Sequence, residues 1–194
     1  FNEKYELSPL HWIISDEDES ITVECVRDGM KIYDNSLGVL TNNPTFDMQM
    51  YNLNNYMKLS AKQPANTFSN DLKLIHYSYG MGALGLPGDW SSQSRFVRAA
   101  FVKLNSKTGD REEENVNQFF HILGSVCQYK GCNDVDNGKY EYTMYTSCCN
   151  ASRGIYYYTT YDNKTVYGID VFREDLDGDK IICYELCRDL KLEI

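Results

Sequence analysis

The 194-residue chain lacks any apolar run near the roughly 20 residues that a membrane-spanning helix requires, which excludes a membrane span and argues against a membrane partner. Basic residues are also scarce: 19 Lys and Arg stand against 28 Asp and Glu, a formal charge of −9. Such a chain repels phosphate backbones unless a local basic stripe offsets the charge. The densest basic run is Arg95, Arg98 and Lys103, interleaved with apolar residues, so no nucleic acid partner is expected. Histidine is limited to His11, His76 and His121, far apart in sequence, and Cys183 and Cys187 have neither CxxC spacing nor a nearby histidine. A structural zinc site is therefore not expected. Residues 1–20 carry Glu3, Glu6, Asp16, Glu17, Asp18 and Glu19 in place of the charged-then-apolar layout of a signal peptide. The sequence starts at Phe1 and not at Met, which points to a piece of a longer protein.

What is present is a globular composition. Hydrophobic residues make up 42% and aromatic residues 13%, which excludes collagen, low-complexity disorder and a coiled coil. No internal repeat and no Pro- or Ser-rich linker interrupts the chain, so residues 1–194 are expected to form a single domain with a real core. The seven cysteines, Cys25, Cys127, Cys132, Cys148, Cys149, Cys183 and Cys187, are odd in number and scattered, unlike a disulfide framework. Their expected state is that of buried, reduced thiols in a cytoplasmic protein. Glycosylation sequons at Asn150 and Asn163 match too short a pattern to carry weight.

Hydrophobic periodicity predicts strands first. Leu10–Asp16 is a compact apolar run, Ile21–Arg27 alternates, and Met30–Asp34 alternates again after the Asp28-Gly29 turn, predicting a hairpin. Phe46, Met50, Leu53 and Met57 then fall at helical spacing after Pro44. Residues 60–78 read as a loop. Two helices follow: residues 91–105, with Phe96, Val97, Ala100, Phe101 and Leu104 on one stripe and Ser91 or Ser92 as cap, and residues 112–127, opened by three glutamates. Tyr140–Cys149, Gly154–Tyr161, Thr165–Val171 and Ile181–Leu186 are strand-like again. Strands, then helices, then strands make an α+β chain with antiparallel sheets.

Four motifs carry chemical possibilities. Gly80-Met-Gly82-Ala-Leu-Gly85 matches the dinucleotide fingerprint, but Leu86-Pro87-Gly88 follows where a helix N-terminus would have to hold the pyrophosphate, so a glycine turn is expected. Asp175-Leu-Asp177-Gly178-Asp179 resembles a fragment of a calcium loop without the glutamate and flanking helices of one, and reads as a turn. Asn42-Asn43-Pro44, after the strand-like Gly38–Thr41, places amide donors at a proline turn. Such donors can stabilise a developing oxyanion, or form an ordinary Asn-rich turn. Arg95 and Arg98 stand near the start of the helix at 91–105, where arginine can clamp an anionic group or form a structural pair.

The stretch from Asp34-Asn35 through Gly38, Thr41-Asn42-Asn43-Pro44 and Phe46 resembles the central motif of the choloylglycine hydrolase family, the bile salt hydrolases and penicillin V acylases. The resemblance continues through Asn52–Tyr56, Gly85–Phe101, Gln118–Leu123, Tyr145–Cys148 and Gly154–Tyr158. It implies an N-terminal-nucleophile hydrolase, an αββα sandwich of antiparallel sheets that is incomplete in this chain. A cysteine at the mature N-terminus attacks the amide carbonyl and its own α-amine serves as base. The resemblance assigns Asn42 as the oxyanion-stabilising asparagine and Arg95 as an active-site arginine, with no cofactor.

The same resemblance implies a conjugated bile acid as substrate, a homo-oligomer, commonly a homotetramer, when complete, and a bacterial cytoplasmic location. Position 1 is Phe and none of the seven cysteines is terminal. Cys25, on an alternating strand, reads as a core thiol, so the chain alone is expected to be inactive. The Asn42–Leu59 and Leu84–Phe101 stretches favour bile salt hydrolase over penicillin V acylase. A non-catalytic binding or assembly module is the other reading.

Overall fold

In the computed structural model, residues 10–190 are described. Two compact units divide the chain, one ending at Asn105 and one beginning at Ser106. The α+β class expected from the element order is the class observed, with two antiparallel three-stranded sheets and few helices. Among the described residues no helix is long and apolar enough to cross a membrane.

The first unit opens with a meander of β1 (His11–Ser15), β2 (Ser20–Val26) and β3 (Gly29–Asp34). The register pairs Ile13 with Thr22 and Thr22 with Tyr33, and likewise Trp12 with Val23 and Val23 with Ile32. Period-two alternation therefore sorts the side chains onto two faces. One carries Thr22, Glu24 and Tyr33, with Thr22 and Glu24 buried. The other carries Trp12, Ile14, Met30 and Ile32, all exposed, which is an apolar sheet face.

Two helices complete this unit: α1 (Phe46–Asn52), continued by a short 3-10 turn over Leu53–Tyr56, and α2 (Ser92–Asn105). Phe96, Val97 and Ala100 of α2 are buried, and Phe46 meets Tyr33 and Phe96 at ring-centroid distances of 5.6 and 6.2 Å. The apolar stripe of α2 is mostly as its periodicity predicts, although Leu104 is exposed. In α1 the stripe differs. The buried residues are Phe46 and Gln49, while Met50 and Met57 face solvent. The helix turns a glutamine inward because polar partners wait there, as described below.

Gly38–Thr41 is not a strand. Its backbone groups find side chains in place of a ladder, which satisfies the requirement that buried N–H and C=O groups be paired. Asn35, fully buried, donates from Nδ2 to Thr22 Oγ1 at 2.9 Å and to Val39 O at 3.0 Å, and its Oδ1 accepts Gly38 N–H at 2.8 Å. Lys103 Nζ donates to Leu37 O at 2.7 Å and Gly38 O at 3.2 Å. Gly38 has φ +61°, a left-handed conformation that favours glycine.

The second unit contains α3 (Glu112–Gly124) and a second meander, β4 (Tyr145–Asn150), β5 (Ile155–Thr160) and β6 (Tyr167–Asp170). The first glutamate of α3 joins helix and sheet: Glu112 accepts from Asn150 Nδ2 at 2.6 Å, from the Tyr157 hydroxyl at 2.9 Å and from Arg153 Nη1. Tyr158 stacks on Tyr167 at 5.5 Å.

Ile181–Leu186 forms no strand. Among the described residues no ladder partner reaches it, and just beyond it a side chain holds the backbone instead, with Thr160 Oγ1 donating to Cys187 O at 3.2 Å. Leu72–Tyr79 is likewise irregular, and the predicted strand from Tyr140 begins only at Tyr145. The cysteines are all free, but only Cys148 is buried. Cys132, Cys149, Cys183 and Cys187 are exposed, because they lie in irregular segments or, for Cys149, on the opposite strand face from Cys148.

Candidate active site

Asn42 and Arg95 meet in the first unit. Arg95 Nη2 donates to Asn42 Oδ1 at 2.6 Å, and Arg95 Nε donates to Trp90 O at 3.0 Å. The guanidinium thus spans the approach to α2 and the Asn42 turn, and its planar fork holds both contacts at once. Asn42 is exposed and Arg95 half-buried. With Oδ1 occupied by a cation, the amide cannot flip without setting its NH₂ against the guanidinium. Nδ2 is therefore the end presented outward, and among the described residues it has no acceptor. Donation from a cation to the carbonyl end also polarises the amide and strengthens its N–H as a donor. Asn42 does not end a strand; it follows the segment that Asn35 and Lys103 hold, and precedes the cis Asn43–Pro44 peptide.

The turn leads directly into α1. Both carboxylate oxygens of Glu24 accept the Phe46 N–H at 3.1 Å, so a buried side chain on β2 satisfies the first donor of the helix. His11 Nδ1 lies 3.7 Å from the same carboxylate.

The other side of the site is the loop before α2. Asp89 Oδ1 accepts the Ser91 N–H at 2.9 Å, and Asp89 Oδ2 accepts the Ser94 hydroxyl at 2.6 Å. The Ser91 and Ser94 hydroxyls and the Ser91 N–H hold the Asp89 carboxyl at about 2, below its ordinary 3.8. Ser91 Oγ accepts the Ser94 N–H at 3.4 Å as a weak helix cap. Arg98 is buried and does not reach an open site: Nη1 donates to Pro87 O at 2.8 Å and Asp89 O at 2.6 Å. Of the two arginines flagged by sequence, Arg98 is the structural one.

The glycine motif forms a 3-10 turn over Met81–Ala83, with Gly80 at φ +84° and Gly85 at φ +96°. Gly82 is where backbones approach: its carbonyl accepts the Ser60 N–H at 2.9 Å, and a Cβ there would lie 1.9 Å from Lys62 O. α2 starts only at Ser92, so no helix N-terminus follows the glycines. Asp175–Gly178 is a turn closed by Gly178 N–H to Asp175 O at 3.3 Å. Among the described residues no three His, Cys, Asp or Glu side chains come together as metal ligands.

Of the sequons, Asn163 is buried, with Nδ2 donating to the Tyr167 hydroxyl and Asp189 O, both at 3.0 Å. Cys25 is half-buried on β2, and burial pushes the Cys148 thiol up, away from the reactive thiolate.

A cleft of about 450 Å³ beside α1 is lined by Asp47, Met48, Tyr51, Asn52, Asn55 and Gln93; neither Asn42 nor Arg95 lines it. Sequence reading missed Glu24, Asn35, Gln49 and Asp89. Each is a polar residue inside or beside a predicted apolar element, and that inconsistency was the available signal.

The chain as a whole is similar to known proteins. The family described as linear amide C–N hydrolases, choloylglycine hydrolase family, matches residues 1–184. A bile salt hydrolase/transferase of Lactiplantibacillus plantarum is 57% identical over 186 residues, covering 96% of this chain and 57% of that protein. A crystal structure of a mutant conjugated bile acid hydrolase from Clostridium perfringens superposes with a TM-score of 0.82 at 39% identity, over 94% of this chain and 56% of the other. A penicillin V acylase from Agrobacterium tumefaciens matches with a TM-score of 0.62 at 22% identity, over 81% of this chain and 44% of the other, and shares the fold. The chain thus spans somewhat more than half the length of the bile acid hydrolases it matches. In sequence and in fold, the chain belongs to the choloylglycine hydrolase family.

Proposed function

We propose that residues 1–194 are the C-terminal portion of a single N-terminal-nucleophile hydrolase domain that cleaves the amide bond of glycine- or taurine-conjugated bile acids. The observation that carries this reading is the Arg95–Asn42 contact, which leaves an amide N–H₂ presented outward at the family motif. In the complete enzyme the leading cysteine attacks the scissile carbonyl, and the carbonyl oxygen gains negative charge as the tetrahedral intermediate forms. Asn42 Nδ2 donates to that oxygen; Arg95 holds Oδ1 and so fixes which end of the amide faces it. Because the donor is already aimed, it contributes in the transition state without reorganising. The intermediate collapses by expelling glycine or taurine, and water then hydrolyses the thioester.

Bile salt cleavage is favoured over penicillin V cleavage by the 57% identity to the Lactiplantibacillus plantarum protein, against 22% to the penicillin V acylase. The complete enzyme is a bacterial cytoplasmic homo-oligomer in this reading, and the 194 residues alone are inactive because the nucleophile comes from the preceding part.

The test is release of glycine or taurine from conjugated bile acids, measured for the chain alone and for the chain preceded by its cysteine-bearing part. Release only by the latter is expected. Release by the chain alone would require a different nucleophile, and preferential cleavage of penicillin V would reassign the substrate.

A further inference from the structure

The Asn42–Arg95 contact joins two segments 53 residues apart, and a second polar cluster beneath it ties those same segments together. Its centre is Gln49, on the inner face of α1 and fully buried. Gln49 Nε2 lies 3.2 Å from Thr41 Oγ1, 3.3 Å from the Asn42 backbone carbonyl and 3.2 Å from Ser92 Oγ. The Thr41 hydroxyl donates to Ser92 O at 3.1 Å, and the Ser92 hydroxyl donates to Thr41 Oγ1 at 3.0 Å.

Proton counting fixes the direction of this network. Each hydroxyl has one proton, and both are already committed between Thr41 and Ser92. Their remaining lone pairs, and the Asn42 carbonyl, can be met only by a donor from outside the pair. The Gln49 NH₂ is that donor, its two protons shared among the three acceptors. A flipped amide would set Oε1 against the Asn42 carbonyl, acceptor against acceptor. Gln49 Oε1 meanwhile is buried without a hydrogen bond among the described residues. An unpaired buried carbonyl is a cost that an apolar side chain of the same size would avoid, so the amide is present for what its NH₂ does.

Placement gives that junction its meaning. Thr41 immediately precedes Asn42, and Ser92 precedes Arg95 by three residues, about one helical turn. Each end of the network is thus adjacent to one member of the Asn42–Arg95 pair.

We infer that Gln49 is a positioning residue for amide cleavage: its Nε2 couples the segment ending at Asn42 to the first turn of α2 and sets the aim of the Asn42 amide. This rests on the reading of Asn42 as the oxyanion donor. Gln49 touches no substrate; it acts through Asn42.

The experiment uses the complete enzyme, with this chain preceded by its cysteine-bearing part, and compares Gln49→Met, Asn42→Ala and the double variant. Met keeps the length and volume of Gln and removes the donors. Gln49→Met is expected to lower kcat roughly tenfold or more, in the range for a slightly misplaced catalytic group, with KM nearly unchanged. Added to Asn42→Ala, it is expected to have no further effect on kcat, because the group it aims is gone.

Thr41→Val cuts the same network from the other side with minimal change of shape, and the same loss is expected should Gln49→Met fail to fold. Unchanged kcat in folded Gln49→Met or in Thr41→Val, or full additivity of either with Asn42→Ala, would overturn the inference. Wild-type turnover in Asn42→Ala would overturn the oxyanion reading itself, and the role of Gln49 with it.

Discussion

Arg95 Nη2 and Asn42 Oδ1 lie 2.6 Å apart across a sequence separation of 53 residues. The contact decides which end of an amide faces outward, a property that residue identity alone leaves undetermined. It also separates two consequences of changing Asn42, since the contact to Arg95 and the donation to substrate use opposite ends of the side chain.

Asn42→Asp divides those consequences. The carboxylate keeps the Arg95 contact and makes it charge-assisted on both sides, but it offers no N–H. Thermal unfolding of the variant is expected to occur at or above the wild-type midpoint. Turnover by the complete enzyme should nevertheless fall by about 10²–10³-fold, as for the loss of one oxyanion donor and as expected of Asn42→Ala. Turnover retained by the aspartate variant would assign Asn42 to structure alone.

Asp89 makes the loop before α2 sensitive to acid. Its carboxyl is held at about 2 against an ordinary 3.8, because the charged form accepts from Ser91 and Ser94. The folded state therefore binds the proton less readily than the unfolded chain does. The stabilisation is fully present above about 3.8 and is lost as pH falls from there through about 2. Asp89 is exposed, so the effect is small and screened by salt. Thermal melts of wild type and Asp89→Asn at pH 5 and pH 2 check this: the difference between the two proteins should shrink at the lower pH.

The glycine turn at residues 80–85 should bind no nucleotide. Among the described residues no α-helix begins directly after it, α2 starting only at Ser92, and Gly82 is required by packing, since a Cβ there would lie 1.9 Å from Lys62 O and 2.4 Å from Ser60 O. Titration with NAD or FAD is expected to show no saturable signal. Gly82→Ala should destabilise the chain by about 1–3 kcal/mol in urea unfolding, the usual cost of forcing extra volume into a packed site. Saturable binding would contradict the structural role given to this turn.

The order of elements was legible in the sequence because it depends on local periods. Alternation in Ile21–Arg27 and Met30–Asp34 produced β2 and β3, and the stripe from Phe96 to Ala100 produced α2. Asn42 and Arg95 were legible through family likeness, as motifs in order along the chain. Two strand-like stretches failed for one common reason. Gly38–Thr41 and Ile181–Leu186 have strand-like composition but no ladder partner among the described residues, and a strand is defined by the partner it finds.

Composition and periodicity by themselves determined the α+β class, the hairpin of β2 and β3, the two longer helices and the acidic character of the chain. Tertiary structure alone decided that Gln49 and not Met50 faces inward, that Asn35 and Lys103 replace a ladder around Gly38, and that Arg95 and not Arg98 reaches Asn42. The physical reason is the reach of each signal. Hydrophobic periodicity reports which side of a local element avoids water. A buried polar group is instead placed by hydrogen-bond partners dozens of residues away, and those become neighbours only when the chain has folded.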